Sequence, residues 1–211
     1  MSDEPVYSAM VVTDLLDAFA SNEPVPGGGS ASALAGAMGV SLLIMVAGLA
    51  NTKTGTPEEA ADLAEASARL RRLRDELRSL IDEDSAAYDS VVTAMRLPKE
   101  GESEKTARRE AIQTAMRSAT EVPIETMRAC QQALRGAVIV AAGGNRNAAS
   151  DTGVAIELLM AALRGASMNV DVNVRSLSDA SFAARVSEER AQLDADGTAD
   201  ANRARDLLSL T

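Results

Sequence analysis

Apolar positions recur along most of this chain at steps of three and four residues, the spacing of one face of an α-helix. The clearest run follows Thr56-Pro57, which reads as an N-cap followed by a proline at the first helical position. From there Leu63, Leu70, Leu73, Leu77, Leu80 and Ile81 form one stripe, and Arg69, Arg71, Arg72, Arg74, Asp75 and Arg78 supply the wet side. An amphipathic helix is predicted to run to about Leu97, just before Pro98. The polar run Pro98-Lys99-Glu100-Gly101-Glu102-Ser103 predicts a loop, and a further helical pattern extends from Ser103 towards Ala142. Pro123 is expected to interrupt or kink that helix. Ala142-Gly143-Gly144-Asn145-Arg146-Asn147 breaks the chain again. Ser150 or Asp151 can cap a helix towards Val174, and Ser178 or Asp179 a last helix to the C-terminus. No alternating run supports a strand, and no internal repeat or low-complexity linker is present.

The segment from Pro24 to Thr52 carries no charged side chain and would pass as a membrane span on length alone. Its bulky residues Leu34, Met38, Leu42, Met45 and Leu49 fall on one helical stripe, and Ser30, Ala33, Ala37 and Ser41 on another. Small residues let a neighbouring backbone come close, in a buried soluble helix or in a membrane dimer. The abundance of Gly, Ala and Ser and the lack of flanking Lys/Arg clusters favour a central helix surrounded by others. The expected architecture is all-α, one domain over residues 1–211, a bundle of about five or six helices around that small-residue helix.

Composition narrows the chemistry. The chain has 46% hydrophobic but only 2% aromatic residues, so its core must be built from Ala, Leu, Val, Ile and Met. It has no histidine and one cysteine, Cys130, which argues against transition-metal sites, Ser-His or Cys-His catalysis and internal disulfides. A formal charge of −10 argues against a broad nucleic-acid-binding surface, while leaving room for a small anion in a local pocket. The first residues carry Asp3, Glu4 and Asp14 with no basic stretch before an apolar run, so a cytoplasmic protein is expected.

A few polar residues stand out from this background. Pro26-Gly27-Gly28-Gly29-Ser30 leads straight into a helix, where backbone amides and the helix dipole favour an anion. The same residues would also serve as a tight turn with Ser30 as N-cap. Asp84 and Tyr88 share a helix face where the arginines have given way to Ala86, Ala87 and Val91. A carboxylate there, once desolvated, would have a raised pKa suited to proton transfer; the alternative is an outward, solvated acid. Asn169 and Asn173 are in register on one helix, either to bind a ligand's amide and ring nitrogens or to bond across a helix interface. Asp151, at a helix start, can act as a cap.

In order and spacing, Pro-Gly-Gly-Gly-Ser at 26–30, Asp84 with Tyr88 and Asp89, Leu97-Pro98-Lys99, Val122-Pro123, Gly144-Asn145, Ser150-Asp151 and Asn169-Val170 with Asn173 form one pattern. From about Met10 to Phe182 the chain resembles the family of methenyltetrahydrofolate cyclohydrolases and formiminotetrahydrofolate cyclodeaminases. The resemblance implies an all-α fold, a homodimer, no membrane or nucleic-acid partner, and a tetrahydrofolate derivative as substrate with no metal or redox cofactor. It implies Asp84 as the first choice of catalytic carboxylate, Asp151 as the second and Asp89 in support. Asn169 and Asn173, with Tyr88, would orient the folate. Gly27, Gly28, Gly29, Ser30 and Lys53 would contact substrate carboxylates. Cyclohydrolase is expected ahead of cyclodeaminase because no formiminotransferase domain accompanies the pattern. One segment departs from it: Asn51-Thr52-Lys53-Thr54-Gly55-Thr56-Pro57 rearranges the family's Thr-Gly-Lys-like run and lacks its aromatic residue. That departure, with the absence of pocket aromatics other than Tyr88, motivates a second reading, a non-catalytic helical dimer with a decayed folate site; the small face of the Ser30 to Ala50 helix motivates a third, a membrane protein dimerising through it.

Overall fold

The computed structural model describes residues 5–209. A 3-10 turn (Tyr7–Ala9) and a short α1 (Val12–Phe19) precede α2 (Gly28–Ala47). The long pair α3 (Pro57–Met95) and α4 (Glu102–Gly143) follows, then a 3-10 turn (Arg146–Ala148), α5 (Ala149–Val174) and α6 (Ala180–Ser209). No strand occurs among the described residues.

Helix α3 follows its sequence pattern closely. The Thr56 hydroxyl accepts from the Glu59 N–H at 3.3 Å, Pro57 opens the helix, and Leu63, Leu70, Leu73, Leu77, Leu80 and Ile81 are all buried. At about 1.5 Å per residue it is roughly 58 Å long, long enough to carry residues to both ends of the bundle. Helix α4 runs unbroken through Pro123, which is buried. A proline without an N–H frees the carbonyl four residues earlier, here Ala119, and Asn173 of α5 donates its side-chain N–H to that oxygen at 2.7 Å. The expected interruption is absent because the vacant acceptor is filled from a neighbouring helix.

Three sides of α2 are covered, by α3, α5 and α4. Contact with α5 is antiparallel and close: a Cβ on Gly39 would meet the Ala155 carbonyl and Leu159, and one on Gly165 would overlap the Ser32 hydroxyl. The close approaches are made by Gly29, Ser32, Gly36 and Gly39; of the predicted small stripe, Ser30 and Ala33 are buried, but Ala37 and Ser41 line the outward face beside Met38. The bulky stripe points outward, leaving Met38, Met45 and Leu49 exposed. Core volume comes instead from Val40, Leu43, Ile44 and Val46, which are buried against the rest of the bundle. Helix α4 supplies the fully buried Ala129, Cys130, Ala133, Leu134 and Ala137, and one continuous apolar cluster joins residues of α1 to α6.

Helix α6 is fastened by charges. Asp179 accepts from the N–H groups of Ser181 and Phe182 at 3.1 and 3.0 Å, the capping role expected of it, and pairs with Arg117 of α4. The bonds from Phe182 and Ser181 hold its carboxyl down at about 2. Helix α5 starts differently from expectation. It follows directly on the 3-10 turn, which Asn145 caps by accepting from Asn147 N–H at 2.9 Å, so neither Ser150 nor Asp151 is an N-cap. Asp151 sits in the first turn, where a carboxylate complements the helix dipole.

Candidate functional site

The glycine turn and Asp84 meet at the N-terminal end of α2. Gly27 is the N-cap and Gly28 the first helical residue, so Ser30 lies inside the first turn, wholly buried, rather than capping it. Its backbone N–H donates to Asp84 Oδ2 at 2.9 Å. Its hydroxyl lies 3.1 Å from the same oxygen and 2.8 Å from the Ile81 carbonyl. The anion expected at this helix start is therefore the protein's own carboxylate, delivered from α3. Gly29 makes the approach possible, since a Cβ at that position would overlap the Asp84 carboxyl group. The preceding Val25-Pro26 peptide bond is cis.

Two influences oppose each other at Asp84. Burial raises its pKa above the ordinary aspartate value, and the hydroxyl and amide bonds from Ser30 hold it down; burial dominates, so the net shift is upward. Both protein donors go to Oδ2. Oδ1 takes none, and it is not among the buried atoms lacking a partner, which means that solvent reaches it. A carboxylate pinned by one oxygen and open at the other, with a raised pKa, is suited to receive or deliver a proton.

Asn169 of α5 completes the group. Gly28 faces its amide, with 3.7 Å from a Gly28 Cβ to Asn169 Nδ2. One Nδ2 hydrogen goes to Gly165 O at 2.9 Å, leaving Oδ1 as a free acceptor. Tyr88 and Asp89 lie one turn beyond Asp84 and are exposed. Asp89 also borders a cavity of about 270 Å³ with Tyr7, Asp82 and Ser85. Asn173 is committed to Ala119 O, the interface alternative that its register left open.

Lys53 and Asp151 are not brought to this place. Asp151 begins α5 and Asn169 ends it, about 27 Å apart along the helix. Lys53 is tied by its N–H to Gly143 O at 2.9 Å, at the C-terminal end of α4. Within one chain the sequence-derived set thus divides: Gly27, Gly28, Gly29, Ser30, Asp84 and Asn169 converge, with Tyr88 and Asp89 adjacent. Lys53 and Asp151 lie at the opposite end, and Asn173 serves the helix interface. Sequence reading missed Ser85, which is buried with its hydroxyl 3.2 Å from that of Ser30. It also missed Tyr7, buried with its pKa raised by burial and by Asp89, Asp82 and Glu23. A small hydroxyl residue next to Asp84 was a visible signal for Ser85; the N-terminal pattern carries none for Tyr7.

Comparison with known proteins shows the family. Residues 11–192 match the family model described as formiminotransferase-cyclodeaminase. The chain is similar to the methenyltetrahydrofolate cyclohydrolase of Methylorubrum extorquens, 42% identical over 172 residues, covering 82% of this chain and 83% of that protein. It is 31% identical over 182 residues to the formimidoyltransferase-cyclodeaminase of Gallus gallus, spanning 84% of this chain but 34% of that longer protein. Its fold matches the crystal structure of formiminotetrahydrofolate cyclodeaminase from Thermotoga maritima with a TM-score of 0.86 and 26% identity, over 95% of this chain and 96% of the other. The expectations of an all-α fold and of this family are met together: the chain belongs to the formiminotransferase-cyclodeaminase family.

Proposed function

We propose that this protein is a one-carbon folate enzyme that hydrolyses 5,10-methenyltetrahydrofolate to 10-formyltetrahydrofolate, with Asp84 as the proton-transferring group. The observation that carries the catalytic assignment is the Asp84 carboxylate, held at Oδ2 by Ser30 and free at Oδ1. The choice of substrate is supported by the similarity to the Methylorubrum cyclohydrolase. Water adds to the amidinium carbon of the cationic bridge as Asp84 takes a proton from it. The C–N5 bond then breaks as Asp84 returns that proton to N5 and the adduct's hydroxyl proton leaves to solvent, so that cation plus water becomes neutral formyl product plus one proton. The carboxylate also offsets the positive charge of the bridge before attack. Asn169 Oδ1 offers an acceptor to the pterin end, and the Gly28 and Gly29 N–H groups offer donors. The reaction as proposed needs no metal or redox cofactor.

The similarity to cyclodeaminases supports a second activity, closure of formiminotetrahydrofolate with release of ammonia. The two substrates should be assayed side by side on the purified protein. Faster turnover of the methenyl compound is expected; turnover of the formimino compound alone would reverse the assignment, and turnover of neither would leave the non-catalytic reading.

We propose further that the protein is a soluble cytoplasmic homodimer of one domain per chain. Both α2 and the segment Arg146–Val174 are long and apolar enough to cross a membrane, yet each is about half buried within the bundle. Their outward faces adjoin: Leu34, Met38 and Leu42 of α2 share a largely apolar basin, edged by Arg74 and Arg78, with Leu158 of α5, and Val154, Met168 and Val172 of α5 are exposed as well. An apolar face of this extent favours a partner, and a second copy pairs like with like. Met38→Glu should convert a dimer to monomer in sedimentation velocity; a wild-type monomer at all concentrations would remove the dimer.

A further inference from the structure

The Asp84 oxygen that Ser30 holds, Oδ2, ends in a small chain of hydroxyls. Ser30 Oγ lies between three groups: Asp84 Oδ2 at 3.1 Å, the Ile81 carbonyl at 2.8 Å and Ser85 Oγ at 3.2 Å. A hydroxyl has one hydrogen, so Ser30 can serve only one of the two acceptors at a time. When Asp84 is charged, the hydrogen belongs on Oδ2, since hydrogen bonds to charged groups are the stronger. When Asp84 is neutral, the hydrogen can turn to Ile81 O, so the donor stays paired in a buried place where an unpaired group is costly. Ser85 can donate to Ser30 Oγ and polarise it, strengthening the bond that Ser30 makes onward to the carboxylate.

We propose that Ser30 and Ser85 are positioning residues that form a two-hydroxyl switch behind Asp84: the Ser30 N–H holds Oδ2 in both protonation states, and the Ser30 hydroxyl, backed by Ser85, turns to Oδ2 when Asp84 is charged and to Ile81 O when it is neutral, while Oδ1 exchanges its proton. This rests on the reading of Asp84 as the proton-transferring group, and it assigns to Ser85 a role in that transfer without contact with substrate.

The surroundings allow the switch to be read cleanly. Helix α2 carries no charged side chain. On α3, Asp82 accepts from the Ser8 N–H and Glu83 lies in the cleft with Glu76, Glu121 and Glu125; Tyr88 and Asp89 are exposed beyond Asp84. Tyr7 adjoins Asp82 and Asp89, and on α5 the nearest ionisable residues along the chain from Asn169 are Asp171 and Arg164. No charged group contributes to the shift of Asp84, which burial and Ser30 alone account for.

The test is a titration of the Asp84 carboxyl carbon by 13C NMR in the intact protein, assigned by its absence in Asp84→Asn. Ser30→Ala should raise the midpoint by about one pH unit, as expected for loss of one hydrogen bond to a charged group. Ser85→Ala should raise it by a smaller, measurable amount, and should add nothing in the Ser30→Ala background because it acts through Ser30. Ser85→Thr, which keeps the hydroxyl, should restore the wild-type midpoint. A Ser85→Ala midpoint equal to wild type, or a Ser85→Ala shift that persists in full without the Ser30 hydroxyl, overturns the switch. The titration needs no substrate. If the shifts appear while Asp84→Asn retains full activity, the switch stands and the catalytic reading fails.

Discussion

At its N-terminal end α2 receives a carboxylate from α3, and at its C-terminal end it passes into a loop of similar residue types. There Asn145, from the connection between α4 and α5, donates to Ala50 O at 2.7 Å, Lys53 N–H bonds to Gly143 O, and the Thr54 and Gly55 N–H groups bond to Glu59. These groups are occupied with holding the loop to α3 and α4. At the N-terminal end the Ser30 N–H and hydroxyl are equally committed, with Gly29 making the room, but to a carboxylate that retains one unpartnered, solvent-reached oxygen. The difference is one of vacancy: both ends are rich in glycine and polar side chains, and a reactive group is recognised by the atom that its neighbours leave open.

The comparison is challenged hardest by a single methyl group. Gly29→Ala would place Cβ on the Asp84 carboxyl group, so the carboxylate or the helix start must move. A loss of kcat/KM of about 100-fold or more is expected, together with a lower Tm. Gly153→Ala, beside Asp151 at the other end, meets nothing within 4 Å and should leave kcat/KM unchanged while raising Tm slightly, since alanine is the better residue inside a helix. Similar behaviour of the two variants in kinetics and thermal melts would erase the distinction.

The two asparagines on α5 should separate by readout. Asn173→Ala leaves the Ala119 carbonyl without its donor and should cost about 1–2 kcal/mol of stability in urea unfolding, with little change in turnover. Asn169→Ala should do the reverse, raising KM with stability nearly intact. If Asn173→Ala instead abolishes activity in a protein of normal stability, its amide serves the ligand after all.

A smaller effect concerns pH. Because the folded protein raises the Asp84 pKa, it favours the protonated form. That contribution to stability is fully present below the ordinary carboxylate value and is lost as pH rises through the raised one. The Tm difference between Asp84→Asn and wild type should therefore grow in favour of the variant across that window and level off above it. Activity runs the other way, rising as the carboxylate ionises. A pH-independent Tm difference would mean that Asp84 titrates as it does in water.

Much of the fold was written in periodicities: the buried stripe of α3, the Thr56 and Asp179 caps and the breaks at Pro98 and Gly143 all appear where local pattern placed them. What local pattern lacks is the partner across the bundle. Pro123 is accommodated by Asn173, fifty residues away, and the bulky stripe of α2 faces outward because Gly29, Ser32, Gly36 and Gly39, off the predicted small stripe, are where α3, α4 and α5 come close. The site was half legible for the same reason. Asp84, Asn169 and the glycine turn could be named from the resemblance, but not that Asp84 itself occupies the helix start, nor that Lys53 and Asp151 lie at the far end. Ser85 is visible in the sequence as a hydroxyl next to Asp84, but its importance depends on which hydroxyl stands 3.2 Å away.

The central claim, that catalysis belongs to the Asp84 end, is tested most directly by the loss of methenyltetrahydrofolate absorbance at subsaturating substrate in wild type, Asp84→Asn and Asp151→Asn. Subtracting the spontaneous rate, a fall in kcat/KM of about 100- to 10,000-fold is expected for Asp84→Asn, and a change within about 3-fold for Asp151→Asn. Equal rates for wild type and Asp84→Asn, or a collapse confined to Asp151→Asn, would contradict it.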